Sequence, residues 1–182
     1  MGVFLLAGAA GLPADAAAPE APVPLPSYTL TMTGYNAVPA QTDDTPFETA
    51  SGAYTNPEVV AARSQDLGKE LPFGTIIQIE GPASDNNGGC NYDTVGQDIG
   101  YRVIADTMNA RLHNRIDVLF SIHDRYILPG GGTMNAASLL GACPGTVVKV
   151  VGFVDIKNPA NLPKTQADLA ALVHGTANLA VK

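Results

Sequence analysis

The sequence predicts an all-β fold, a small closed barrel of six strands with short helical turns. Six short runs of residues have strand character, and turn signals drawn from 19 Gly and 14 Pro stand between them. Charged residues make up only 15% of the chain, which leaves little material for the solvent-facing sides of helices. Closing such strands into a barrel removes exposed sheet edges, and a chain of 182 residues suits one domain with appendages.

Each predicted element has its own pattern. In chain order, the predicted strands are residues 28–35, 59–62, 75–80, 101–106, 115–120 and 146–154. The first alternates threonines with larger residues, as a half-buried strand does, and the third follows a Leu-Pro-Phe-Gly turn. The last is nearly all apolar and is predicted to be central. A short helix is expected within residues 134–140, and a weaker helical pattern covers residues 164–173.

The two ends of the chain differ in composition from the part between them. Residues 1–27 begin with an apolar run and continue rich in alanine and proline. The apolar run resembles a secretory signal, but it lacks the basic n-region of a complete one. A truncated or mis-started signal and an ordinary disordered leader are therefore both consistent with this segment. Residues 157–182 are expected to form a loose, partly helical tail. The barrel domain is thus predicted over residues 28–156, in a protein exported to the cell envelope or beyond it.

The charge balance limits the classes of partner. The chain has a net charge of −7, whereas nucleic acids and anionic membrane surfaces select basic patches, so neither is expected to bind. The stretch at residues 85–89 is rich in Asp, Asn and Gly, but it lacks the ligand spacing and the closing glutamate of an EF-hand. Asx and glycine turns account for this composition. We therefore expect no metal site and no cofactor.

The chain contains two cysteines, Cys90 and Cys143. In an exported protein they could pair, which would stabilise the fold by roughly 4 kcal/mol in the chain-entropy model. Two unrelated thiols are the alternative. Neither cysteine has the surroundings of a catalytic nucleophile, and their spacing does not indicate a zinc site.

Two aspartates are the strongest candidates for chemistry. Asp106 and Asp117 are each embedded in an apolar, strand-like run, with a loop rich in Asn, Arg and His between them. Burial of an unpaired carboxylate is costly, so two of them entering the core from neighbouring strands could share a proton or have a raised pKa. Such groups serve acid catalysis. The alternative is that both only accept backbone hydrogen bonds at strand ends.

Several short motifs resemble those of a known family. They are Thr33-Gly34-Tyr35, Thr49-Ala50-Ser51-Gly52, Leu71-Pro72-Phe73-Gly74-Thr75, Ala105-Asp106 and Arg115-Ile116-Asp117. Together they resemble the 3D domain, named for three aspartates, and the related barrel of the membrane-bound lytic transglycosylase A family. The specific part is the eleven-residue spacing of the two aspartates. The resemblance runs from about residue 29 to residue 154 and implies a double-psi β-barrel.

The resemblance also implies roles for individual residues. Asp117 matches the catalytic acid of such families, Asp106 lies beside it, and Asp66 is the candidate for the first family aspartate. Thr49 and Tyr35 are the expected sugar contacts.

Arg115 is a third expected contact in the substrate groove. Its charge could neutralise Asp106 and leave Asp117 as the protonated partner.

The activity implied is non-hydrolytic cleavage of the β-1,4 bond between N-acetylmuramic acid and N-acetylglucosamine, with a 1,6-anhydro product. The implied partner is the glycan strand of bacterial peptidoglycan, bound by a monomer. Double-psi barrels host several functions, so a non-catalytic carbohydrate-binding or wall-loosening module is the alternative. A structural module of the cell envelope is a third possibility, and it would have no open groove.

Overall fold

A computed structural model of the chain describes residues 25–42, 44–82 and 89–179. The strands are β1 Ser27–Asn36, β2 Val60–Arg63, β3 Thr75–Pro82, β4 Tyr101–Thr107, β5 Arg115–Phe120, β6 Arg125–Ile127, β7 Thr133–Asn135 and β8 Cys143–Phe153. The α-helices are α1 Tyr92–Val95, α2 Ala136–Leu140 and α3 Gln166–Leu179. Six strands close into a barrel, which confirms the predicted all-β fold. Most of the predicted leader and most of the stretch at 85–89 lie outside the described residues.

The barrel has an internal two-fold relation. Its strand order is β1-β5-β2-β4-β3-β8, closing back to β1. The pairs β1/β5 and β2/β4 are parallel, and the other barrel pairs are antiparallel. Exchanging the first three barrel strands with the last three reproduces the same order. Two parallel pairs related in this way distinguish the fold from an up-and-down barrel and fit the double-psi topology.

The barrel strands bury apolar residues on both faces. Because side chains alternate along a strand, Met32, Ile116 and Val118 pack in the barrel interior, whereas Tyr35 and Leu119 belong to a second cluster on the outer face. This outer cluster is large enough to be a core in its own right. Asp117 stands between two interior residues of β5, so its side chain points to the outer face and not into the barrel.

The chain after β8 packs against this outer cluster. Ile156, Leu162 and Leu169 are buried there. Helix α3 covers the predicted helical stretch, and the side chain of Gln166 at its start accepts a hydrogen bond from the backbone N–H of Tyr101 at 2.9 Å. The part of the tail up to Leu169 is therefore attached to the barrel.

Cys90 and Cys143 form a disulfide, which confirms the predicted pairing. The bridge joins Cys90, two residues before α1, to the first residue of β8. Of the described helices, none is long and apolar enough to cross a bilayer. The hairpin of β6 and β7 was not predicted, because its strands have three residues each and leave little periodic pattern.

Candidate active site

Strand β2 places the two aspartates on either side of one alanine. Ala62 is paired with Asp117 of β5 on one side and with Asp106 of β4 on the other. The expectation that the two aspartates come from neighbouring strands is therefore wrong, because β2 lies between β4 and β5. Two strand spacings put the Cα atoms of Asp106 and Asp117 roughly 10 Å apart. The methyl group of Ala62 leaves the space between the carboxylates open.

An irregularity in the β2/β4 ladder turns Asp106 toward Asp117. Ala61 pairs with Ile104, but the next residue, Ala62, pairs with Asp106, so Ala105 is an extra residue in β4. A bulge of this kind re-aims the side chain that follows it. Ile104 remains in the barrel interior while Asp106 reaches the outer face.

Both carboxylates line one open groove of about 390 Å³, which we call the aspartate groove. Its floor is the outer face of the sheet, and its walls are the loop after β1 and the loop between β4 and β5. The other lining residues are Tyr35, Gln41, Thr42, Glu48, Thr55, Ala62, Thr107, Met108, Asn109 and Leu112. Its volume lies in the range of pockets that hold small ligands.

Asp106 is held by three hydrogen-bond donors. Its Oδ2 accepts from the hydroxyl of Tyr35 at 3.0 Å. Its Oδ1 accepts from the backbone N–H groups of Ala50 at 2.9 Å and Thr107 at 2.8 Å. These contacts come from three separate segments, so the carboxylate has a fixed position in the wall of the groove.

Asp117 has different surroundings. The side chain is half-buried, and among the described residues its hydrogen bond comes from the Thr33 hydroxyl, at 2.9 Å from Oδ1. Burial raises the pKa of Asp117 to about 7, and the charge of Asp106 acts in the same direction. The Thr33 hydrogen bond and the charge of Arg115 oppose this rise. Asp117 can therefore hold a proton near neutral pH.

Tyr35 is a hydrogen-bond donor and not a base. Burial raises the pKa of its hydroxyl well above the ordinary value of 10, and the charge of Asp106 raises it further. The ring lines the groove although its side chain is almost fully buried. Tyr35 thus connects β1 to Asp106 of β4 across the floor of the groove.

The other two expected sugar contacts do not line the groove. Thr49 is buried, and its hydroxyl bonds with the hydroxyl of Ser51 at 2.9 Å and accepts from the backbone N–H of Ala53 at 3.1 Å. It shapes the wall from behind. Arg115 lowers the pKa of Asp117, and within the described part of the chain it forms no ion pair with Asp106.

Asp66 lies apart from the aspartate groove, in a 3-10 turn directly after β2. Its exposed carboxylate accepts from the backbone N–H of Asn114 at 2.9 Å and lies 3.8 Å from Nδ1 of His113. Hydrogen bonds from Ser64 and Asn114 lower the pKa of Asp66. Asn114 has a φ of 51°, which is uncommon for a residue other than glycine. Asp66 therefore supports the turn that leads into β5.

Sequence reasoning missed three residues of the site. Thr33 is two residues before Tyr35 on β1, so strand alternation would have placed both on one face. Ala62 could not be recognised by its chemistry, because it contributes to the site only by having a small side chain between the two aspartates. Glu48 is the third carboxylate of the groove in place of Asp66, and its position depends on a wall loop with no regular pattern.

The arrangement can exchange a proton beside a fixed negative charge. Asp117 offers a protonated carboxyl near neutrality, and Asp106 is positioned to stabilise positive charge that develops in the groove. A comparison with protein-family models finds none that matches this chain, and a comparison with curated proteins also finds no match.

Proposed function

We propose that the protein is a lytic transglycosylase, which cleaves the β-1,4 bond between N-acetylmuramic acid and N-acetylglucosamine in peptidoglycan. One observation carries the proposal: Asp117 and Asp106 line the same groove on either side of Ala62, in contrasting surroundings. Pairs of carboxylates whose environments differ in this way perform the two roles of glycosidic bond cleavage.

In the first step the carboxyl of Asp117 gives its proton to the glycosidic oxygen. The bond from that oxygen to C1 of the muramoyl sugar then breaks, and positive charge develops at C1. The carboxylate of Asp106, fixed by its three donors, stabilises this charge. A pKa of about 7 suits Asp117 for this donation near neutrality.

In the second step the C6 hydroxyl of the same sugar attacks C1. The carboxylate of Asp117 takes the proton of that hydroxyl, and the 1,6-anhydro ring closes. No water is consumed, and Asp117 is protonated again for the next cycle.

The disulfide supports a site of action outside the reducing cytoplasm. Cys90 and Cys143 are bonded, and such bonds persist in the periplasm and outside the cell. Peptidoglycan lies in those compartments. The proposal therefore places the protein and its substrate together in the cell envelope.

The test is incubation of the purified protein with peptidoglycan sacculi, with the soluble fragments analysed by mass spectrometry. We expect anhydro-muropeptides from the wild type and none from Asp117→Asn. The matched control is Asp93→Asn, which makes the same chemical change at an exposed aspartate of α1, outside the groove. Fragments with hydrated reducing ends would instead indicate a hydrolase. Binding to sacculi without release would indicate a carbohydrate-binding module.

A further inference from the structure

A second cavity, of about 600 Å³, lies at the end of the barrel where β2 begins and β5 ends. We call it the Arg102 cavity. Its charged lining residues are Glu58, Asp98, Arg102, Asp124 and Arg125. The lining residues come from the segments before β2 and before β4, from β4, from the end of β5 and the loop after it, from β6, and from the starts of α2 and α3. None of them lines the aspartate groove.

Within residues 25–42, 44–82 and 89–179, Arg102 is a buried cation without a paired carboxylate. Only 2% of the residue is exposed, and its Nε is buried with no hydrogen-bond partner in the described structure. Its Nη1 donates to the backbone carbonyl of Glu58. No carboxylate of the described residues lies within 4.0 Å of the guanidinium. A guanidinium in this position is costly, and an anionic group that enters the cavity would offset that cost.

Negative charge also lines the Arg102 cavity, at a greater distance from the guanidinium. The charges of Asp124 and Glu58 act on Arg102 but do not reach ion-pair distance. Asp124 accepts a hydrogen bond from the backbone N–H of Ser121 at 2.9 Å, and Asp98 accepts from the hydroxyl of Tyr126. Glu58 is exposed and has no side-chain hydrogen bond or ion pair among the described residues. A simple anion would meet repulsion from these carboxylates.

We propose that the Arg102 cavity binds a small ligand that carries both a carboxylate and an ammonium group, of the amino-acid or short-peptide class. The carboxylate would pair with Arg102, and the ammonium group would lie toward Glu58 and Asp124. Both signs of charge in one cavity favour such a ligand over a phosphate or a simple anion. The inference does not depend on the proposed lytic activity, because no residue is shared between the two sites.

The test uses the dipeptide alanyl-alanine as the probe, titrated into the full-length protein and followed by NMR chemical shifts. We expect saturable shifts at residues of the Arg102 cavity. The dipeptide C-terminal amide lacks the carboxylate and should bind about tenfold more weakly or not at all. The N-acetyl dipeptide lacks the ammonium group and should also bind more weakly. Inorganic phosphate should compete poorly.

Variants separate the two halves of the cavity. Arg102→Gln should remove binding of the dipeptide. Because loss of the buried Arg102 side chain can unfold the protein, a second test uses Glu58→Gln, at an exposed position. This variant should reduce the difference in affinity between alanyl-alanine and its N-acetyl form. Glu70→Gln, at an exposed site outside the cavity, is the matched control and should change nothing.

Three results would overturn this inference. The first is the absence of saturable binding of alanyl-alanine to the folded wild type. The second is equal affinity for the dipeptide, its amide and its N-acetyl form. The third is competition by phosphate as strong as that of the dipeptide, which would indicate a plain oxyanion site.

Discussion

Asp117 lies within β5 and Asp66 contacts the residue directly before β5, and the fold gives these two aspartates opposite surroundings. Asp117 is half-buried, it lies beside a second carboxylate, and it accepts a hydrogen bond from Thr33. Asp66 is exposed and accepts the backbone N–H of Asn114, with His113 close by. Burial raises the pKa of the first to about 7, whereas hydrogen bonds lower the pKa of the second.

This difference shows why residue type alone does not define a catalytic acid. A carboxyl that must donate a proton near neutrality needs low exposure and few donors, which is the situation of Asp117. A carboxylate that supports a turn needs donors and solvent, which is the situation of Asp66. The four predictions below test this contrast.

The largest expected effect separates the two aspartates by activity. If Asp117 is the general acid that we propose, Asp117→Asn should lower the release of anhydro-muropeptides at least about 100-fold, the usual scale of such a loss. Asp66→Asn keeps an oxygen acceptor for Asn114 and should leave the rate within about twofold, by the small cost of an exposed contact. The rate of fragment release by mass spectrometry measures both. An equal loss in a folded Asp66→Asn protein would assign the chemistry to Asp66.

A second prediction concerns the hydroxyl that positions Asp106. Tyr35→Phe removes the 3.0 Å hydrogen bond to Oδ2 but keeps the buried ring. We expect a kcat that is lower by about 10- to 100-fold, since a hydrogen bond to a charged group contributes about 1.5–3 kcal/mol. KM should change little, because Asp106 acts on charge that develops in the transition state. An unchanged kcat would show that Asp106 does not need this donor.

A third prediction contrasts the pH dependence of stability at the two aspartates. The folded-state pKa of Asp117 is raised above its ordinary value of 3.8, so its contribution to the free energy of unfolding is full below pH 3.8 and falls as pH rises toward 7. The pKa of Asp66 is lowered, so its contribution is present above pH 3.8 and is lost as pH falls further.

Urea denaturation at pH 4 and pH 8 measures the Asp117 contribution. Relative to the wild type, Asp117→Asn should gain on the order of 1–2 kcal/mol between pH 4 and pH 8, after allowance for partial exposure. Asp93→Asn, the same chemical change at an exposed aspartate outside the groove, is the matched control. If the free energy of unfolding of Asp117→Asn changes with pH just as that of the wild type does, burial does not raise the pKa of Asp117.

The smallest expected effect is a shift of the pH–rate profile when the hydrogen bond from Thr33 to Asp117 is removed. Thr33→Val removes the hydrogen bond that lowers the pKa of Asp117, so the alkaline limb of the pH–rate profile should move to higher pH by up to about one unit. Tyr126→Phe, at the other cavity, serves as a control and should leave the limb in place. Movement of the limb to lower pH in Thr33→Val would contradict the account of Asp117.

Much of the barrel could be predicted from local patterns. The six barrel strands follow from alternation and apolar runs, and the disulfide from cysteine usage. The position of β2 between β4 and β5 could not be predicted, since strand order is decided by contacts distant in sequence. The sequence pattern predicted that Asp106 and Asp117 enter the core from neighbouring strands. In the structure they lie two strands apart and line a groove on the outer face of the barrel.

Part of the candidate site could be predicted from residue type together with position in a strand. Asp106, Asp117 and Tyr35 do meet in one groove, because β1, β5, β2 and β4 follow one another in the barrel and these three side chains share its outer face. Thr49 and Asp66 do not line the groove. The hydroxyl of Thr49 forms hydrogen bonds within its own loop, and Asp66 lies in the 3-10 turn after β2. Such local hydrogen bonds depend on atomic positions that a residue pattern does not encode.

The most direct test of the central claim is a ¹³C NMR titration of the aspartate carboxyl carbons in the wild-type protein. We expect the carboxyl of Asp117 to titrate at about pH 7 and that of Asp66, in the same sample, to titrate below its ordinary value of 3.8. The Asp117→Asn protein assigns the signal, because it lacks that one resonance. If Asp117 instead titrates near pH 4, it is ionised at neutral pH and cannot be the proton donor proposed here.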